Sequence, residues 1–209
     1  MNVSLSWCRR SMVGFNWIDI IVLLMCKWYV IIIAMSISEL TLNAQINEVI
    51  TAACNGAAPN PYIISRYADA PSIGSLDKFD GPARVLKRGI VYLAGPMTGH
   101  VNFNYDTFHA VAYALRMRGV TVISPAETTA GVYAPAPAVE EVNREVNAEY
   151  LRRGFAHVLR SDAVLLLPGW QRSRGTRHEL DVANMTGRIE VYQLSDEVLD
   201  AARETFKRR

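Results

Sequence analysis

The spacing of apolar and polar positions changes period repeatedly along the second half of this chain. Ile90–Ala94 (IVYLA) is a short apolar run of strand length. Between residues 104 and 118, Phe108, Val111, Ala112 and Leu115 fall on one stripe at helical spacing, and Gly119 closes the segment. Val120–Ser124 (VTVIS) predicts a second strand, and Val139–Arg160 a long helix with Val142, Val146, Tyr150 and Phe155 among its apolar positions. Ala163–Leu167 (AVLLL) is a continuous apolar run, the pattern of a strand covered on both faces. A helix over 175–185, a strand at Ile189–Leu194 (IEVYQL) and a last helix over Ser195–Lys207 complete the series. Strand alternating with helix predicts an α/β fold, a parallel sheet with helices on both faces. Ligands of such folds bind at the carboxyl ends of the strands, so the loops after Ala94, Ser124 and Leu167 are the ones to read for chemistry.

Two further segments precede this region. Residues 18–35 (IDIIVLLMCKWYVIIIAM) are nearly all apolar and follow Arg9 and Arg10. This run just reaches the length of a membrane span. Asp19 and Lys27 lie inside it, and a charge near the middle of a span costs about 2.5–3.5 kcal/mol. Three readings stay open for residues 1–35: a non-native or dispensable leader with the true start at Met35, a membrane anchor, and a packed helix. Residues 36–88 begin with a short helix carrying Leu40, Leu42, Ile46, Val49 and Ile50. They continue from Asn55 as a Gly-, Pro-, Ala- and Ser-rich stretch that reads as a linker or irregular arm without chemistry of its own. Residues 89–209 form the third part.

Composition narrows the function classes. Half of the 209 residues are apolar and 20% are charged, which excludes a mostly disordered chain. A net charge of +2 gives no bulk attraction for a nucleic-acid polymer, so none is expected as partner. The three cysteines, Cys8, Cys26 and Cys54, are widely spaced and odd in number. That argues against a disulfide scaffold or structural zinc site and suits a reducing, cytoplasmic setting, with a membrane in play only through 18–35. His100, His109, His157 and His178 show no metal-binding spacing. No metal and no cofactor are expected.

Candidate chemistry sits in two loops. Gly95–Tyr105 (GPMTGHVNFNY) offers Gly95, Pro96, Met97, Thr98 and Gly99, then Asn104 at the expected helix start. Glycine lets backbone approach a ligand, and free N–H groups near a helix start hold anions. The same run also fits an ordinary strand-to-helix turn. Pro168–Glu179 (PGWQRSRGTRHE) holds more: Gly169 and Gly175 for tight turns, Ser173 as a helix cap, and Ser173 or Thr176 as donors to a phosphate or sugar. Arg172, Arg174 and Arg177 gather positive charge at a helix amino end, already an anion site. One carboxylate, Glu179, stands among them and is expected to stay ionised. A fixed carboxylate is what nucleophilic attack on an anomeric carbon requires. A helix-start acid that only complements the helix dipole gives the same spacing.

The runs YLAGPMTG (92–99), NFNYDTF (102–108) and LLPGWQRSRGTRHEL (166–180) resemble a family of small, often phage- or prophage-encoded domains. That family is similar to nucleoside 2-deoxyribosyltransferases and deoxynucleoside monophosphate N-glycosidases. The likeness covers about residues 89–194. It implies a flavodoxin-like, Rossmann-like three-layer domain with a mainly parallel sheet of four to five strands, preceded by an N-terminal extension that it does not cover. It also implies a site for a nucleoside or nucleotide, and a homo-oligomer. Carried over by position, Glu179 matches the nucleophile, Tyr92 the strand tyrosine beside the sugar, and Ser173 the serine that contacts phosphate in the monophosphate hydrolases. With Arg172 and Arg174 beside it, Ser173 favours a phosphorylated substrate.

One departure stands out. Relatives carry an Asp eight residues before the one that Asp162 matches, and this chain has Gly154 there. Glu145 and Glu149, on the same expected helix, are the candidates to replace that acid, although Glu149 is more simply a partner of Arg152 or Arg153, and Asp162 reads as structural. The expected function is cleavage or transfer of the N-glycosidic bond of a deoxynucleoside 5′-monophosphate or similar nucleotide through a covalent glycosyl-Glu179. A non-catalytic nucleotide sensor is the alternative. A ribonucleotide phosphoribohydrolase ranks third, on a looser likeness that Trp170 interrupts.

Overall fold

The structure is a computed structural model that describes residues 38–75, 89–128 and 144–209. The leader run 18–35, residues 76–88, and the predicted start of the long helix at 139 lie outside the described residues. The chain divides into two compact units, Met1–Ala44 and Gln45–Arg209, and the sheet lies wholly in the second. Among the described residues no helix is long and apolar enough to cross a membrane.

A helix over 38–54 (α1) and a short helix, Ile63–Tyr67 (α2), lead into strand β1, Ser72–Ile73. Then follow β2 (Ile90–Ala94), α3 (Tyr105–Arg116), β3 (Thr121–Ile123) and a one-turn helix α4 (Pro125–Thr128). After these come α5 (Arg144–Leu159), β4 (Ala163–Leu166), α6 (Arg174–Thr186), β5 (Glu190–Leu194) and α7 (Asp196–Lys207). Apart from the one-turn α4, which has no counterpart among the expected elements, the elements from β2 onward match the expected ones within a few residues at their described ends. Ser173 and Ser195 cap α6 and α7, accepting from the amides of Thr176 and Val198, and so fix where each helix starts.

All five strands are parallel, in the order β1-β5-β4-β2-β3. Counted from β2, the first four strands follow a flavodoxin-like order, and the place of the fifth is filled by β1 from the preceding segment. The Gly- and Pro-rich arm is therefore not wholly irregular. Its Ser72 and Ile73 pair with Gln193 and Leu194. Ile63 and Ile73 are buried, and Gln193 donates to the carbonyls of Tyr67, Ala68 and Ala70.

Alternation along the central strands sorts the two faces. Val91, Leu93, Ala163 and Leu165 join the core beneath α3 and α7, which pack on each other. Tyr92, Ala94, Val164 and Leu166 take the opposite parity, and α5 and α6 pack together. β2 is the strand at which the chain order reverses, with β3 on one side and β4 on the other. The carboxyl ends of β2 and β4 therefore frame the crevice where this topology binds ligands.

Candidate active site

The site is assembled by the loops that leave β2 and β4. Gly95 lies so close to the other loop that a Cβ there would come within 2.8 Å of the Leu167 Cβ, so only glycine permits the approach. Thr176 Oγ1 donates to the Gly95 carbonyl at 3.2 Å and is within 2.9 Å of Ser173 Oγ. The two loops are thus tied by hydroxyls at the start of α6. Asn102, Phe103 and Asn104 adopt left-handed backbone in succession, with φ of 49°, 50° and 60°. Non-glycine residues hold that conformation only at a cost of order 1–3 kcal/mol each. Asn104 provides no helix cap. Its Nδ2 donates instead to the Pro96 carbonyl at 2.9 Å and closes the loop on itself.

At the centre, the Tyr92 hydroxyl donates to Glu179 Oε1 at 2.6 Å. Tyr92 is buried in β2, and Glu179, in the second turn of α6, keeps partial exposure. Gly154 of α5 faces the pair. A Cβ at 154 would stand 2.6 Å from Glu179 Oε1 and 3.5 Å from the Tyr92 hydroxyl. One turn further along α5, the His157 ring lies nearly parallel to that of Tyr92, with centroids 6.2 Å apart. Its Nδ1 is buried without a hydrogen-bond partner among the described residues.

Electrostatics here depart from the sequence expectation. Glu179 is not held ionised by arginines. Burial raises its pKa to about 7, and the Tyr92 hydrogen bond offsets only part of that rise. Tyr92 is raised well above the ordinary phenol value, first by burial and then by the Glu179 charge. Burial also lowers His157, aided by Arg160 and Arg153, and so favours its neutral form.

The arginines lie elsewhere. Arg174 donates to the carbonyls of Gly56 and Ala57, just past the end of α1, and so is turned toward the arm. Arg174 and Arg177 act on His178, and Arg177 on Asp181, side chains on another face of α6. A cavity of about 300 Å³ opens on that face, lined by His178, Asp181, Asn184 and Met185 together with Val49 and Ala53. It does not include Glu179, and the Glu179 site is defined by its bonded geometry and its place at the switch of strand order.

Of the remaining sequence candidates, Pro96 is buried, Met97 packs against the core, and Thr98 and Gly99 are exposed. Gly169 turns with positive φ before a short 3-10 turn, and Gly175 sits in the first turn of α6 with open space where a Cβ would stand. Asp162 Oδ2 accepts from the Ile90 amide at the amino end of the sheet, a structural role. Glu149 pairs with Arg153 at 2.8 Å. His157 was not distinguished in the sequence from an ordinary helical histidine. Gly154 was visible only as a missing acid, although a glycine inside a helix costs about 1 kcal/mol against alanine and signals a packing reason.

Among the described residues, no group of three or more His, Cys, Asp or Glu could hold a metal ion. Residues 90–192 match a family model described as Domain of unknown function (DUF4406). No curated protein and no solved structure matches the chain.

Proposed function

We propose that this domain breaks the N-glycosidic bond of a nucleoside or nucleotide, with Glu179 as nucleophile, and passes the sugar to water or to a second base. The observation that carries this reading is the Glu179–Tyr92 pair, held at 2.6 Å between the sheet and α5–α6. Tyr92 fixes Oε1, while Oε2 takes no hydrogen bond among the described residues and is the oxygen left for attack on C1′. A carboxylate beside C1′ also stabilises the oxocarbenium-like transition state.

The resemblance to nucleoside 2-deoxyribosyltransferases and monophosphate N-glycosidases supports the same reading. Phosphate binding draws less support: Ser173 and Thr176 already bond to each other and to the loop after β2, and Arg174 is engaged at the arm. A non-catalytic nucleotide sensor is the second reading, favoured by the glycine at 154.

The test is free-base release, followed by chromatography, from a panel of nucleosides and nucleotides with neutral and quaternised bases. Base release that Glu179→Gln lowers at least about 100-fold supports the nucleophile. Equal release by variant and wild type removes Glu179 from that role. Thermal stabilisation by a nucleotide with no base released favours the sensor.

A further inference from the structure

When a glycosidic bond breaks, its electron pair leaves with the base. A neutral purine or pyrimidine accepts that pair readily only if a proton arrives with it. Two-carboxylate glycosidases accordingly set an acid beside the nucleophile. At this site the place opposite Glu179 belongs to Gly154, where even a methyl group would stand 2.6 Å from the carboxyl oxygen. Among the described side chains of α5, α6 and the start of β4, the other acids are engaged away from the pair, Glu149 with Arg153, Asp162 with the Ile90 amide and Asp181 with the Asn60 amide, and the side chain of Glu145 lies outside the described residues. The Tyr92 hydroxyl is committed to Glu179, and burial favours the neutral form of His157. A single carboxyl group cannot attack as a carboxylate and deliver a proton in the same step.

We infer that the substrates of this site carry a base that departs without a proton: a quaternised ring, such as a pyridinium or 7-alkylpurinium, bonded to ribose or deoxyribose or to the corresponding sugar phosphate. This rests on the reading of Glu179 as nucleophile. The carboxylate also attracts the positive charge of such a ring, most strongly where water is thinned. Glu179 Oε2 bonds to C1′ as the C1′–N bond breaks. The electron pair returns to the ring nitrogen, cancels its charge, and the base leaves neutral. Water then bonds to C1′, the ester C1′–O bond breaks to restore the carboxylate, and a proton passes to solvent. Each cleavage therefore consumes one water and releases one proton, whereas hydrolysis that yields a neutral base from a neutral one releases none.

The experiment uses the full chain with nicotinamide mononucleotide and 7-methylguanosine 5′-monophosphate, beside guanosine and deoxyguanosine 5′-monophosphates. Free base and released protons are measured above the uncatalysed background. The expected result is release from the two quaternised compounds, with loss of release in Glu179→Gln and with one proton per base from nicotinamide mononucleotide, whose ring has no proton to lose. Release from the two neutral compounds is expected to stay at background. With nicotinamide mononucleotide, whose ring does not titrate, the rate is also expected to rise with pH and level off, without a descending limb up to pH about 9, because a descending limb there reports an essential acid of the enzyme. Release from the neutral nucleotides at a comparable rate, or a bell-shaped profile with nicotinamide mononucleotide, overturns the inference while leaving Glu179 as nucleophile. Background rates on all four compounds, unchanged in Glu179→Gln, overturn both.

Discussion

The charge of Glu179 is set by burial rather than by the arginines that flank it along the chain. Three arginines within seven positions suggest a stabilised anion. The helix instead turns Arg174 toward the arm and leaves the carboxyl in a setting where burial dominates. Spacing along a helix gives the residue's face, but not which neighbours the long side chains reach.

The consequence for stability follows from linkage. A pKa raised from 4.5 to about 7 favours folding fully below 4.5, and that contribution is lost as pH rises through 7. Its size is about 3 kcal/mol. Glu179→Gln keeps an acceptor for Tyr92 and cannot ionise. The variant should match wild type in denaturant midpoint below pH 4.5, exceed it increasingly between pH 4.5 and about 7, and keep a constant margin above that. A constant difference between pH 4.5 and about 7 would contradict the burial argument.

Gly154 gives a second residue-scale prediction. The atom that a Cβ would strike is the end of a flexible side chain, so Gly154→Ala should displace the carboxyl rather than the helix. Stability should change by less than about 1 kcal/mol, since alanine gains helix propensity. Base release should fall at least about 10-fold as Glu179 leaves Tyr92. Unfolding of this variant, or unchanged turnover, would show that the contact does not position the carboxyl.

At the scale of elements, the strands and helices from β2 onward were legible because each spans enough residues to set a period. β1 was not. Two residues carry no period, and the Gly- and Pro-rich composition around them signals a loop. What makes β1 a strand is a partner distant in sequence. Gln193 of β5 donates to three carbonyls at the end of α2 and accepts from the indole of buried Trp170 at 3.2 Å, linking the arm to the loop that carries Ser173. Gln193→Ala should cost about 2–3 kcal/mol by leaving these groups unpaired. Hydrogen exchange should quicken first at the amides of Gln193 and Ser195 that pair with β1. Uniform protection in the variant would mean that the arm is held by Ile63 and Ile73 alone.

At the scale of the molecule, the parallel sheet, its two helical layers and the loops that face the ligand edge could all be anticipated from alternation and from strand runs that are continuously apolar. The pairing of Tyr92 with Glu179 was reachable only through resemblance. The residues are 87 positions apart, and nothing local in either segment records the bond. Gly154 joins them from a third element, so the site exists only once β2, α5 and α6 are packed.

Nucleophilic catalysis by Glu179 requires a covalent bond between its carboxyl group and the sugar. Protein quenched with acid during turnover of a nucleotide substrate, digested and mapped by mass spectrometry, should carry one glycosyl ester, on the peptide that contains Glu179. The same adduct should be absent from Glu179→Gln. Turnover with the sugar found on another residue, or with no adduct under conditions that trap one elsewhere in time, would contradict the assignment.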